Sequence, residues 1–194
     1  MPGIDRRRLL LLLAPAALAG VPGGAPAEAA SYREFAAGLA QALPAGAAFR
    51  PDIEARLDGL ANRLRAGKGR GPLAPDGTFL AAARAHAADM MVNGFIGHQS
   101  STGAGFAARM KAMVGDTSRF PAMAENAARI ERRGLSDGAR ADALFGLWIE
   151  SRGHRNNLMS RNYAFVASGA VARGDGLWAV QIFWAAPRES TLFP

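Results

Sequence analysis

The stretch from Leu177 to Ala185 is apolar at almost every position: Trp178, Val180, Ile182 and Trp184 alternate with Leu177, Ala179, Gln181 and Phe183. In a strand, successive side chains face opposite sides of the sheet, so both sides of this one must be covered. A strand buried on both faces belongs in the interior of a sheet, with helices above and below. Tyr163 to Val171 reads as its partner strand, joined through Arg173-Gly174-Asp175-Gly176, a hairpin signal. The rest of the chain must supply two layers of amphipathic helix.

It supplies them upstream. A first helix starts at Pro51-Asp52, where Ile53, Leu57, Leu60 and Leu64 recur at steps of four and three. The run Gly67-Lys68-Gly69-Arg70-Gly71-Pro72 ends it, and lacks the Lys-Ser/Thr ending of a phosphate loop, so it reads as a flexible connection. A second helix spans Pro75 to Asn93, with Phe79, Ala83, His86 and Met90 on one side and Gly94 as a left-handed stop. A third covers Gly105 to Met113, burying Phe106, Met110 and Met113. After Pro121, residues 125–130 read as a short strand leading into a loop. Ser136 caps a fourth helix along Ala141, Leu144, Phe145 and Trp148, and Ser151 caps a further helical turn holding His154. Residues 31–50, rich in Ala, Gly and Pro, read as a lead-in with a short helix. Helices early and a hairpin late predict a three-layer α+β domain over residues 51–194.

Residues 1–30 read as an export signal: Arg6-Arg7-Arg8 is a basic start, Leu9 to Ala19 a short apolar run, and Ala17-Leu18-Ala19 and Ala27-Glu28-Ala29 are two candidate cleavage sites. Asp5-Arg6-Arg7-Arg8-Leu9-Leu10 also loosely resembles a twin-arginine signal. Pro15 and Pro22 break the run, so no integral membrane span is expected. Export leads to a periplasmic or secreted protein, and a monomer is expected. The chain has no cysteine, so the exported domain folds on packing alone. Removing residues 1–30 takes away three basic and two acidic residues and lowers the net charge from +7 to near +6. Such a charge favours anionic envelope polymers or lipid head groups as partners. Nucleic acid is not expected, because the basic residues are dispersed rather than interleaved with aromatics.

Two of the three histidines stand in distinctive phrases. His98 follows Gly97 just beyond the second helix, and His154 lies within Ser151-Arg152-Gly153-His154-Arg155-Asn156-Asn157-Leu158. Between them comes Ala124-Glu125-Asn126. Imidazoles and a carboxylate on separate elements can bind a divalent metal or exchange protons near neutral pH.

These phrases, in this order, resemble the CAP superfamily of cysteine-rich secretory, antigen-five and pathogenesis-related proteins, in its bacterial form. The likeness starts in the first amphipathic helix. It continues through Ala81 to Met90, Gly97-His98, Glu125-Asn126, Trp148 and Ser151 to Leu158, and ends in Trp178-Ala179-Val180-Gln181-Ile182-Phe183. The resemblance implies an α-β-α sandwich with a central cleft, in which His98, Glu125 and His154 are the cleft residues. Many eukaryotic members carry a second glutamate where Ser151 stands here, and Glu150 is one residue off, about 100° around a helix.

For His98 and His154 one reading is a divalent-metal site, zinc for example, with water in its open positions. The other is a hydrogen-bonded cluster tying helix ends to the sheet. Glu125 is a candidate general base or a loop-fixing acceptor. Asn126 reads as a structural loop residue, and His86 as a satisfied core histidine. Ser100, Ser101 and Ser151 lack a Gly-x-Ser-x-Gly elbow, so a serine triad finds little support. Trp148, Trp178 and Trp184 fall at core spacing. The leading expectation is a non-enzymatic binding module for a lipid, an envelope component or a protein. The alternative is a metal-assisted hydrolase, peptidase-like, with His98 and His154 holding the ion and Glu125 moving the proton.

Overall fold

The strand apolar on both faces is an interior strand of the sheet. The structure, a computed structural model, describes residues 25–188, with side chains from Tyr32 onward. In chain order the elements are α1 (Ala25–Gln41), β1 (Ala47–Phe49), α2 (Pro51–Ala66), β2 (Ala74–Pro75), α3 (Leu80–Asn93) and α4 (Phe106–Val114). Then follow β3 (Met123–Glu131), α5 (Asp137–Glu150), α6 (Arg152–Met159), β4 (Phe165–Arg173) and β5 (Gly176–Trp184). The sheet runs β1-β4-β5-β3, and β2 adds to β4 in parallel. The β4–β5 hairpin closes on a two-residue turn at Gly174-Asp175, with Arg173 opposite Gly176 and Gly174 at φ +55°.

The alternation of β5 sorts the core into two layers. Leu177, Ala179 and Phe183 meet Ile53 and Leu57 of α2, Leu144 and Trp148 of α5, and Leu158 of α6. Val180, Ile182 and Trp184 meet Ala83, Ala87 and Met90 of α3, Met110 of α4 and Phe79. This is the expected α-β-α sandwich. On the second face α3 crosses very close to β4. A Cβ built on Gly169 would lie 2.3 Å from Arg84 N and 2.4 Å from Ala83 C, so only glycine fits there.

Three sequence expectations need correction. The short helix expected within residues 31–50 is present as α1. α1 runs unbroken through Gln41, buries Tyr32 and Ala36 against Ala85 of α3 and Ala112 of α4, and lies outside that helical layer. β1 then pairs with β4. Residues 1–24 of the expected signal lie outside the described residues, and 25–30 belong to α1. The second helix starts at Leu80, not Pro75, because Pro75 sits in β2 and Asp76 folds a turn by accepting from Thr78 N at 2.8 Å. β3 is a full strand paired along its length with β5, so Asn126 is a strand residue rather than a loop residue. Finally, α6 is two turns long, and although Ser151 precedes it, the serine side chain makes no capping bond. Ser136 does cap α5, accepting from Ala139 N at 3.3 Å.

Candidate functional site

The site forms around the edge strand β3, and each piece arrives by an identifiable local device. Gly94, at φ +70°, stops α3 and turns the chain toward His98. Asp89, fully buried on α3, holds the loop that follows: its two oxygens accept from Asn93 Nδ2 at 2.8 Å and Ser101 N at 2.9 Å. Ser100 is consumed inside the same loop, bonded to Thr102 Oγ1 and Ala104 N. On β3 the side chains of Glu125 and Asn126 leave on opposite faces. Asn126 donates to His154 O at 3.2 Å, and Asn157 donates to Asn126 Oδ1 at 3.0 Å and to Glu125 O at 3.3 Å. That amide pair fastens α6, and with it His154, to the strand.

Glu125, 6% exposed, is the hub. His98 Nδ1 donates to its Oε1 at 2.9 Å, and Arg109 Nη2 lies 2.8 Å from both Oε1 and Oε2. The same Nη2 reaches His98 O at 3.0 Å. Burial pushes the Glu125 carboxyl up in pKa, but the Arg109 charge, the His98 bond and the neighbouring His86 outweigh it and hold the group at about 2. It is a fixed anion with both oxygens occupied, and it orients the His98 ring by taking the Nδ1 hydrogen. In neutral His98 this leaves Nε2 as the bare nitrogen.

His154 is half-buried, and its ring lies edge-on to that of His98 with centroids 6.1 Å apart. Burial, then the charge of His98, depress its pKa to about 4 against the opposing pull of Glu125, so it is neutral at pH 7. The structure therefore gathers His98, Glu125 and His154 at one place. It adds His86, whose Nε2 donates to Gly97 O at 2.8 Å and lies 3.9 Å from Glu125 Oε1. His86 is a core histidine with one ring nitrogen satisfied, and among the described residues its Nδ1 has no partner. Glu150 is exposed on α5.

Sequence reasoning missed Arg109, Asn157 and Tyr32. The signal for Arg109 was present: it stands three residues after Phe106 and beside Met110, on the stripe that α4 buries, and it is 0% exposed. A buried guanidinium needs acceptors for its N–H groups, and a carboxylate also balances its charge. Arg109 Nε and Nη1 remain unpaired among the described residues, as does the Tyr32 hydroxyl. Burial raises the Tyr32 phenol to about 12 against the lowering influence of Arg109, so it stays protonated.

The donor set limits what the site can hold. Among the described residues no group of three or more His, Cys, Asp or Glu side chains is placed to hold a metal ion. His98 and His154 offer two imidazoles, whereas a catalytic zinc takes three protein ligands. Glu125 already accepts from His98 and Arg109 through Oε1 and from Arg109 through Oε2.

Solved structures share the fold. An extracellular protein containing an SCP domain from Bacillus anthracis superposes with a TM-score of 0.54 at 25% identity, covering 69% of this chain and 40% of that one. An outer surface protein from Borrelia burgdorferi gives 0.59 at 18% identity, covering 70% and 94%. A cysteine-rich secretory protein from Staphylococcus aureus gives 0.50 at 19%, covering 69% and 38%. The chain thus spans less than half the length of the Bacillus and Staphylococcus proteins. No curated protein sequence matches it significantly. The family model for CAP, the cysteine-rich secretory protein family, matches residues 59–183, which include β3 with Glu125 and both cleft histidines, and the chain belongs to that family.

Proposed function

We propose that this protein is an exported binding module whose ligand is an anionic amphiphile with an apolar chain. One observation carries the reading: a groove of about 610 Å³ runs between α1 and α3, walled by Ala36, Ala37, Ala40, Phe49, Leu80 and Met113. Exposed alanines on both helices leave a trough, and Arg33 and Arg84 stand among its walls. Arg84 is neutralised by Glu54 at 2.6 Å. Among the described residues the one hydrogen-bond partner of Arg33 is the Ala112 carbonyl, at 2.8 Å, which leaves its charge unpaired there for an anionic head group. An apolar concavity with one convergent charge is the usual form of a small-ligand site.

Export is supported by the basic-apolar start of the chain and by relatives described as extracellular or outer-surface proteins. Among the described residues no helix is long and apolar enough to cross a membrane. The hydrolase alternative has less support, because it needs Glu125 to move a proton and that carboxylate is held by two donors. A weak ion site on His98 and His154 keeps one supporting observation, the carboxylate that orients His98 in the manner of an outer-shell partner.

Calorimetric titration with dodecanoate tests the groove. Saturable binding is expected, weakened at least tenfold by Ala37→Trp, which fills the trough from an exposed position. Arg33→Gln should weaken dodecanoate but not dodecanol. No binding, or binding indifferent to Ala37→Trp, overturns the reading. Zinc titration of the protein and of its His98→Ala and His154→Ala variants tests the ion site; heat unchanged in both variants removes it.

A further inference from the structure

The glycine run after α2, left without a role by its lack of a phosphate-loop ending, forms one wall of a second cleft. Gly69, at φ +63°, turns the chain back on itself, and Lys68 N and Arg70 N both donate to Arg65 O. Arg65, 2% exposed, reaches across with Nε on Gly71 O at 2.7 Å and Nη1 on Leu158 O at 2.9 Å and Ser160 O at 2.7 Å. Among the described residues all of its partners are carbonyls. They satisfy N–H groups without cancelling the charge, and Nη2 makes no hydrogen bond among the described residues.

That buried guanidinium lines a cleft of about 400 Å³ together with Arg70, Gly71, Arg161, Tyr163 and Ala164. No Asp or Glu lines it, and none of its three arginines forms an ion pair among the described residues. Arg70 Nε is buried with no partner among the described residues. The Tyr163 phenol, pushed up in pKa by burial, stays a donor at neutral pH. The cleft lies at the C-terminal end of α2, where the helix dipole repels anions with about half a charge. Three guanidiniums outweigh that. Guanidinium forks fit tetrahedral oxyanions by paired N–H bonds, a match no lysine provides.

We propose that this cleft binds a phosphoryl group, free or as a phospholipid head group, gripped by Arg70 and Arg161 and backed by Arg65. It shares no lining residue with the groove between α1 and α3, so the two readings stand or fall separately.

The test is a ¹⁵N NMR titration of the protein with inorganic phosphate at constant ionic strength, reading the Gly69 and Gly71 amides and Arg70 Nε–H. A parallel arm measures sedimentation with phosphatidylcholine vesicles, with and without phosphatidic acid. The comparison is the double variant Arg70→Gln/Arg161→Gln, whose wild-type side chains make no hydrogen bond among the described residues; circular dichroism checks its fold. Saturable phosphate shifts weakened at least tenfold in the variant establish a free-phosphate site. Phosphatidic-acid binding alone, lost in the variant, assigns the head group. Neither kind of binding, or binding equal in the variant, overturns the proposal.

Discussion

Glu125 and Asp58 are both acids in buried surroundings, and their neighbours drive them in opposite directions. Glu125 has Arg109 against it and is held at about 2. Glu125→Gln keeps the shape and removes the counter-charge of a fully buried arginine, which should cost about 3–5 kcal/mol in urea denaturation at pH 7. The folded pKa is depressed, so this stabilisation is present above the ordinary carboxylate value near 4.3 and is lost as pH falls toward 2. Wild type and variant should converge in acid. Asp58 forms no ion pair among the described residues. Burial lifts it to about 6, against the bonds from Ser168 Oγ at 2.6 Å and Gln181 Nε2 at 3.3 Å, with the Glu54 charge adding to the rise. A raised folded pKa means that the protonated form favours folding, and this contribution is lost as pH rises through 6. Asp58→Asn should therefore gain up to about 2 kcal/mol at pH 8 and nothing near pH 4, read as melting temperature against pH. A gain equal at both pH values would mean that ionisation is not its source.

At the level of elements, the contact that most constrains the second layer is α3 on β4 at Gly169. Gly169→Ala places a methyl inside helix backbone that cannot yield as a flexible side chain would. The expected loss is about 3 kcal/mol, at the upper end for overpacking, with activity-independent loss of melting temperature as the readout. Elements whose burial comes from a regular stripe were legible beforehand. The two-faced strand β5, the stripe of α2 and the Ser136 cap of α5 needed only their own residues. β3 was read too short because Glu125, Asn126 and Arg129 break its apolar pattern, and what permits them lies elsewhere: Arg109 on α4 and Asn157 on α6. α1 is legible only as a short helix in a lead-in, because its buried face is small residues plus Tyr32 and its partners are other helices rather than the sheet. His98, Glu125 and His154 could be placed together only through resemblance. Their spacing along the chain says nothing of the strand edge where they meet.

Across the whole molecule, α1 lies outside the two cores that hold the sandwich together. Among the described side chains neither core cluster contains an α1 residue, and the small outer cluster around Tyr32 and Ala36 does. A chain starting at Ala42 should therefore still form the sheet and both of its helical layers. It exposes Ala85 and Ala112 and gives up the burial of Tyr32, a loss on the order of 3 kcal/mol. It also loses Arg33, Ala36, Ala37 and Ala40, one entire wall of the apolar groove, while leaving Arg65, Arg70 and Arg161 untouched. The truncated protein should melt cooperatively at a lower temperature, fail to bind dodecanoate, and bind phosphate as the full chain does. Retained dodecanoate binding would move the amphiphile away from α1. Loss of the cooperative transition would instead make α1 part of the folding core, contrary to the separation of its contacts from those of the sheet.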